Sequence, residues 1–198
     1  MTRLLAYKRI LYSCFLLWFC TVLILSAERC MMFQHYLPDT IRTQYAADTV
    51  HLFVKGLLFD IKAASVLTAL PFLLGLFSLV KSKTAEAYGH IQVVLSVLLL
   101  LAVSAAAIGN WFYYGVYGRQ FDVFIFGISE DTAAVLKTIW SDFPVIWGLV
   151  GAVAAAVLFG KWFARIRTYP FSEPAPAGKA AWIAAVILPI LALSAGIR

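Results

Sequence analysis

Most of the chemistry available to this sequence sits in two stretches. Arg42, His51, Lys55, Asp60 and Lys62 fall in residues 28–62, and Asn110, Arg119, Asp122, Asp131 and Asp142 fall in residues 110–142. On a helical wheel His51, Lys55 and Lys62 lie within about 40° of one another, because each residue of an α-helix advances about 100°. A basic stripe of that kind suits an anion, since guanidinium and ammonium groups make charge-assisted hydrogen bonds to phosphate oxygens. Arg42, His51, Lys55, Lys62 and Arg119 are therefore the candidates for holding a lipid headgroup, with Asp60, Asp122 and Asp142 as acidic members of the same stretches. The plainer reading of these side chains is a set of interfacial charges that reach toward water or pair between loops.

Other chemistry finds little to work with. A Gly-rich phosphate loop, an H-E-x-x-H helix and a G-x-S-x-G elbow are all missing from the sequence. His35, His51 and His90 are dispersed along it, and no Cys-x-x-Cys or Cys/His ligand spacing occurs. Cys14 and Cys20 lie within an apolar run and Cys30 just beyond it, which suits packing better than a disulfide framework. The expectation is a chain with no catalytic residues, metal site or cofactor of its own.

The elements that carry these residues follow from composition. Of the 198 residues 63% are hydrophobic and 13% charged, against roughly half and a quarter in an ordinary soluble domain, so a bilayer is the better solvent for most of the chain. The net charge of +6 fits cytoplasmic loops facing anionic lipid. Nucleic-acid binding is not expected, because no basic run or aromatic-basic module is present. A span needs about 20 predominantly apolar residues. Runs that approach or meet this length cover residues 10–27, 63–80, 91–109, 145–163 and 180–195. The expected fold is all-α, a single polytopic transmembrane domain of five helices. The first run follows Arg3, Lys8 and Arg9 but is long for a signal-peptide core, and Leu25-Ser26-Ala27 is a poor cleavage site, so it reads as an uncleaved anchor.

Cytoplasmic loops are enriched in Lys and Arg. An inside N-terminus gathers Arg3, Lys8, Arg9, Lys81, Lys83, Lys161, Arg165, Arg167 and Lys179 into short cytoplasmic segments, and puts the C-terminus outside. The implied location is a bacterial inner membrane. Both outer stretches are too long for turns and too apolar for solvated linkers, so each is expected to hold an amphipathic interfacial helix. In the second, Ser129 can cap a helix with Glu130 and Asp131 in its first turn and Val135, Leu136, Ile139, Trp140 and Phe143 on one face. Pro71 and Pro189 fall inside spans, where bending without further function is the simple expectation. No ionisable residue lies deep within a span as drawn, which counts against a proton-coupled transporter.

Two passages resemble a known family. Lys55-Gly56-Leu57-Leu58-Phe59-Asp60-Ile61-Lys62, leading toward Leu70-Pro71, is similar to the G-x-x-F-D segment before the second helix of lipoteichoic acid synthase-like proteins. Tyr114 through Arg119-Gln120-Phe121-Asp122, and on to Trp140-Ser141-Asp142-Phe143-Pro144-Val145, resembles their R-x-x-D loop and the interfacial helix before their fourth span. The family comprises sulfatase-like phosphoglycerol and phosphoethanolamine transferases. The resemblance implies a five-helix membrane domain that anchors or orients an extracytoplasmic catalytic domain carrying a threonine nucleophile and a divalent metal. None of those catalytic positions occurs in this sequence, so the expectation is a non-catalytic membrane part, truncated or split from a separately encoded catalytic half. The implied partners are membrane phospholipids and that sulfatase-like domain. An independent inner-membrane protein that binds lipid or a partner stays open beside it, as does a small transporter.

Overall fold

The computed structural model describes residues 3–78, 82–120 and 145–168. Within them every regular element is an α-helix: α1 (Arg3–Tyr36), α2 (Asp39–Gln44), α3 (Ala46–Ser78), α4 (Ser82–Tyr117) and α5 (Val145–Thr168). Leu-, Val- and Ala-rich runs favour the helical state, since in an apolar solvent every main-chain polar group must be satisfied within the segment. The breaks fall at residues that stop helices for a physical reason. Pro38 disfavours the α-region for Leu37 and stands before the first turn of α2, where its carbonyl accepts from Ile41 and Arg42 N–H at 3.1 and 3.2 Å. Gly118 ends α4 in the left-handed conformation, φ 66°, while its N–H closes on Tyr114 O at 2.8 Å.

Three helices are long and apolar enough to cross a membrane, over Tyr7–Tyr36, Ala46–Leu76 and Tyr88–Gly115, and the chain is a membrane protein on that basis. Large apolar side chains also face outward all along the bundle, among them Phe15, Leu58, Phe59, Val66, Leu98 and Leu158. Outside a bilayer such a surface would be a liability. The expected fourth span, 145–163, coincides with the first part of α5, and the fifth, 180–195, lies outside the described residues. The interfacial helix expected around Ser129–Phe143 also lies outside them.

Residues 28–62 differ from the expected interfacial loop. α1 continues to Tyr36 and α3 begins at Ala46, so nearly the whole stretch belongs to two rods that stay paired to their tips, where Phe33 meets Phe53 edge-on at 5.2 Å between centroids. Similarly, residues 110–117 are the last turns of α4. Hydropathy drew the apolar runs shorter than the helices because polar residues at helix–helix contacts broke the run without breaking the helix.

The packing register is regular. α1 and α3 are antiparallel: Trp18 meets Ser65, Ser26 meets Asp60, and Arg29 meets Gly56. α1 and α4 are parallel, with Cys14 against Gln92 and Met32 against Asn110, the same separation along the chain at both levels. One cluster of buried side chains joins Ile10 and Cys14 to Phe72 and Tyr88. A second joins Leu16, Leu17, Cys20 and Leu100 to Phe163 and Ile166, and so holds α5 against α1 and α4. At Gly160 of α5 a Cβ would stand in ordinary van der Waals contact with Val97 of α4, so the two helices face each other there.

Truncation of Leu100, which is 0% exposed, should leave a cavity at the centre of the second cluster. Leu100→Ala is expected to cost about 2 kcal/mol in a reversible unfolding measurement in bicelles. Leu98→Ala, two residues away and 57% exposed, should be near neutral. Equal losses would contradict this packing.

Candidate functional site

Charged and polar side chains of α1, α3 and α4 meet in a layer near the C-terminal end of α1. Gly56 and Asp60 lie one turn apart on α3 and present the same face to α1. Arg29 lies across that face: its Nη2 donates to Asp60 Oδ1 at 2.7 Å and to Gly56 O at 3.3 Å. Ser26, nearly one turn earlier on α1, donates from Oγ to the other carboxylate oxygen of Asp60 at 2.9 Å. The pair is asymmetric in burial, the Asp60 side chain being 5% exposed and the Arg29 side chain 24%. A Cβ on Gly56 would collide with the Arg29 guanidinium, so glycine is what lets the cation lie flat against the α3 backbone.

On the other side of α1, Asn110 of α4 donates from Nδ2 to Glu28 Oε1 at 2.5 Å and also contacts Met32 Sδ at 3.6 Å. Glu28 and Arg29, adjacent in the chain, therefore face two different helices. An aromatic group caps this layer: Tyr36 packs on Trp111 and Tyr114, His35 packs on Trp111, and the Tyr36 hydroxyl donates to Trp111 O at 3.1 Å. Tyr and Trp with one apolar and one hydrogen-bonding end are typical of a membrane–water boundary.

Of the basic candidates, Arg42 is engaged at home. It pairs with Asp39 at 2.9 Å, donates to Leu37 O and Gln34 O, and stands over the ring of Phe33. His51, Lys55 and Lys62 share one exposed face of α3, and Arg119 is exposed just beyond α4. Asp60 is not with them, since it points into the α1–α3 contact. Asp122 and Asp142 lie outside the described residues. Cys14 and Cys20 are buried free thiols and Cys30 an exposed one.

Arg29, Glu28 and Ser26 escaped the sequence reading. Neither Arg29 nor Glu28 stands out in the sequence, because the first apolar run ends at Ala27. A signal was present in the G-x-x-F-D segment itself, for a glycine one turn before an aspartate on the same helical face leaves room for a cation from a neighbouring helix. Glu28, Arg29 and Asp60 lie in helix–helix contacts rather than in loops, so ionisable groups take part in the bundle itself.

Chemically the layer offers a carboxylate held by a guanidinium and a hydroxyl, with a second carboxylate held by an amide. Among the described residues no three His, Cys, Asp or Glu side chains converge as metal ligands. No family model matches the chain, and no curated protein or solved structure is significantly similar to it.

Removing one member of a buried pair leaves the other charged and unpartnered, a loss of about 3 kcal/mol, reduced here because Arg29 retains some solvent. Asp60→Ala should therefore destabilise clearly, while Arg29→Ala added to Asp60→Ala should cost much less than Arg29→Ala alone. Steric-trapping or thermal unfolding of the four proteins measures the coupling, and additive losses would rule out the pairing.

Proposed function

We propose that this chain is a non-catalytic membrane domain of the lipoteichoic acid synthase-like type, anchoring and orienting a sulfatase-like extracytoplasmic domain for lipid headgroup transfer. The observation that carries the reading is the use made of the G-x-x-F-D segment. Its glycine and its aspartate are the two α3 residues that hold Arg29, so the residues on which the resemblance turns also fix the α1–α3 register. Anchoring needs a rigid platform, and a buried ion pair across antiparallel helices supplies rigidity at the end facing the outer leaflet in this reading. The proposed topology is five spans in a bacterial inner membrane, N-terminus cytoplasmic.

The exposed face bearing His51, Lys55 and Lys62 supports the lipid side of the reading. Long cationic side chains on a lipid-facing helix reach toward phosphates at the boundary, each worth about 1 kcal/mol toward an anionic surface. The same face favours a second reading, an inner-membrane protein that binds anionic lipid on its own account.

Two experiments test these readings, the first of which separates them. Alkaline phosphatase fused after Arg198 should be active and the same fusion after Lys83 inactive, and the genome next to this gene should encode a sulfatase-like domain. An inactive fusion at Arg198, or a neighbourhood without such a domain, would count against the anchoring reading. In the second experiment, neutralising Lys55, Lys62 and Arg119 together to Gln should reduce the anionic phospholipid retained by the purified protein in native mass spectrometry several-fold. Unchanged retention would remove the lipid role of these side chains from both readings.

A further inference from the structure

A second polar layer lies deeper in the bundle, near Pro71, and belongs to neither reading above. Three buried faces meet there: Cys14, Leu17 and Thr21 of α1, Ser65, Thr68, Pro71 and Phe72 of α3, and Gln92, Ser96 and Leu100 of α4. Cys14 touches Gln92 and clusters with Phe72, so these residues share a level. From that level one turn back along α3 reaches Thr68, and one turn forward along α4 reaches Ser96. α3 is antiparallel to α1, and α4 is parallel to it, so both steps run in the same direction. Thr68 and Ser96 therefore lie at one level of the interior, one turn from Gln92.

Their hydroxyls behave differently from the others in the bundle. Thr21, Ser65 and Ser104 each donate to the carbonyl four residues earlier, at 2.9, 2.8 and 2.8 Å. Thr68 and Ser96, 2% and 0% exposed, have hydroxyl oxygens with no hydrogen-bond partner among the described residues. The same level carries a third polar group. Pro71 sits inside α3 and has no N–H, so the carbonyl of Leu67, four residues earlier, lacks its helical donor. The Pro71 ring itself is fully buried. Tyr88 from α4 donates its hydroxyl to Pro71 O, one turn further along the helix, and does not serve the Leu67 carbonyl.

Two buried hydroxyls, and the carbonyl that Pro71 leaves without its helical donor, form a set that a single small hydrogen-bonding molecule can satisfy. An unsatisfied buried polar group costs about 1–3 kcal/mol, so leaving both hydroxyls unpaired is expensive. Water complements the set. It can donate to Leu67 O and to one hydroxyl while accepting from the other, within the usual range of partners for a buried water. In membrane helices, ordered waters and Ser or Thr side chains are the known means of replacing a main-chain bond lost at proline. We propose that the α1–α3–α4 interior at Pro71 is a buried hydration site, in which water held by Thr68 and Ser96 replaces the main-chain bond that Pro71 removes. The site gives α3 a point where its helix is closed through solvent and not through its own backbone.

The test begins with the unaltered protein in lipid bilayers. Water-edited solid-state NMR should transfer magnetisation from water to Thr68 and Ser96 within milliseconds and leave Phe163 and Ile166, buried among the apolar side chains of the second cluster, without transfer. Absence of transfer at both Thr68 and Ser96 would overturn the proposal. A thermodynamic cycle supplies the second arm. If the hydroxyls hold water, Thr68→Val and Ser96→Ala should each lower the melting temperature by about 2–4 °C, and the double variant should lose less than their sum. If the hydroxyls are dry, each substitution removes an unsatisfied group and raises the melting temperature, additively, which refutes the site. Thr68→Ser and Ser96→Thr, which keep the hydroxyl, should preserve the water signal.

Discussion

The salt bridge between Arg29 and Asp60 constrains the rest of this structure more than any single apolar contact does. Apolar packing between two long helices in lipid is nearly indifferent to register, because lipid tails are as apolar as leucine and sliding one helix past the other exchanges like for like. A charge pair with a bound hydroxyl is not indifferent. A slip of one turn would strand a carboxylate against leucine and leave a guanidinium over a Cβ. With Ser26 and Gly56 completing it, the pair selects a single alignment of α1 with α3. That alignment puts Trp18 opposite Ser65 and Phe33 opposite Phe53.

α4 is fastened to the same frame by different means. Its parallel course along α1 is marked at one end by Gln92 on Cys14 and at the other by Asn110 on Glu28, with Trp111 and Tyr114 gathered around Tyr36 beyond it. Neutral amides suffice here because α4 needs orientation more than a strong bond, and an amide can donate to a thiol or a carboxylate without bringing a second charge into the interior. α5 joins through the apolar cluster that sets Phe163 and Ile166 on Leu16, Leu17 and Leu100. Moving outward from the α1–α3 pair, the bundle thus passes from a charged contact through amide contacts to the apolar cluster around Leu100 and Phe163.

The helical class and the membrane environment were legible in the sequence because both depend on bulk apolarity, which survives averaging over a window. The helix limits were not, because a window cannot tell a polar residue that ends a helix from one that binds its neighbour. Ser26 to Arg29 and Asp60 are of the second kind, and they made continuous helices look like a loop. The stripe of His51, Lys55 and Lys62 was readable, since it depends only on helical periodicity. The role of Asp60 was not, because its partner lies thirty-one residues away along the chain. Arg42 misled in the opposite way, for a cation in a tight turn is as apt to be taken by nearby carbonyls as by a ligand.

The length of the paired rods has a further consequence. α1 has 34 residues and α3 has 33, so each is about 50 Å long, whereas the hydrocarbon of a typical bilayer is about 30 Å thick. Hydrophobic mismatch of this size is absorbed by tilting the pair or by letting its tips stand proud of the headgroups. Because Arg29 and Asp60 lock the two helices together, they must respond as one lever and not by sliding individually. Any change of tilt that a thicker or thinner bilayer requires therefore moves both helices together, and with them the aromatic group around Tyr36 and Trp111.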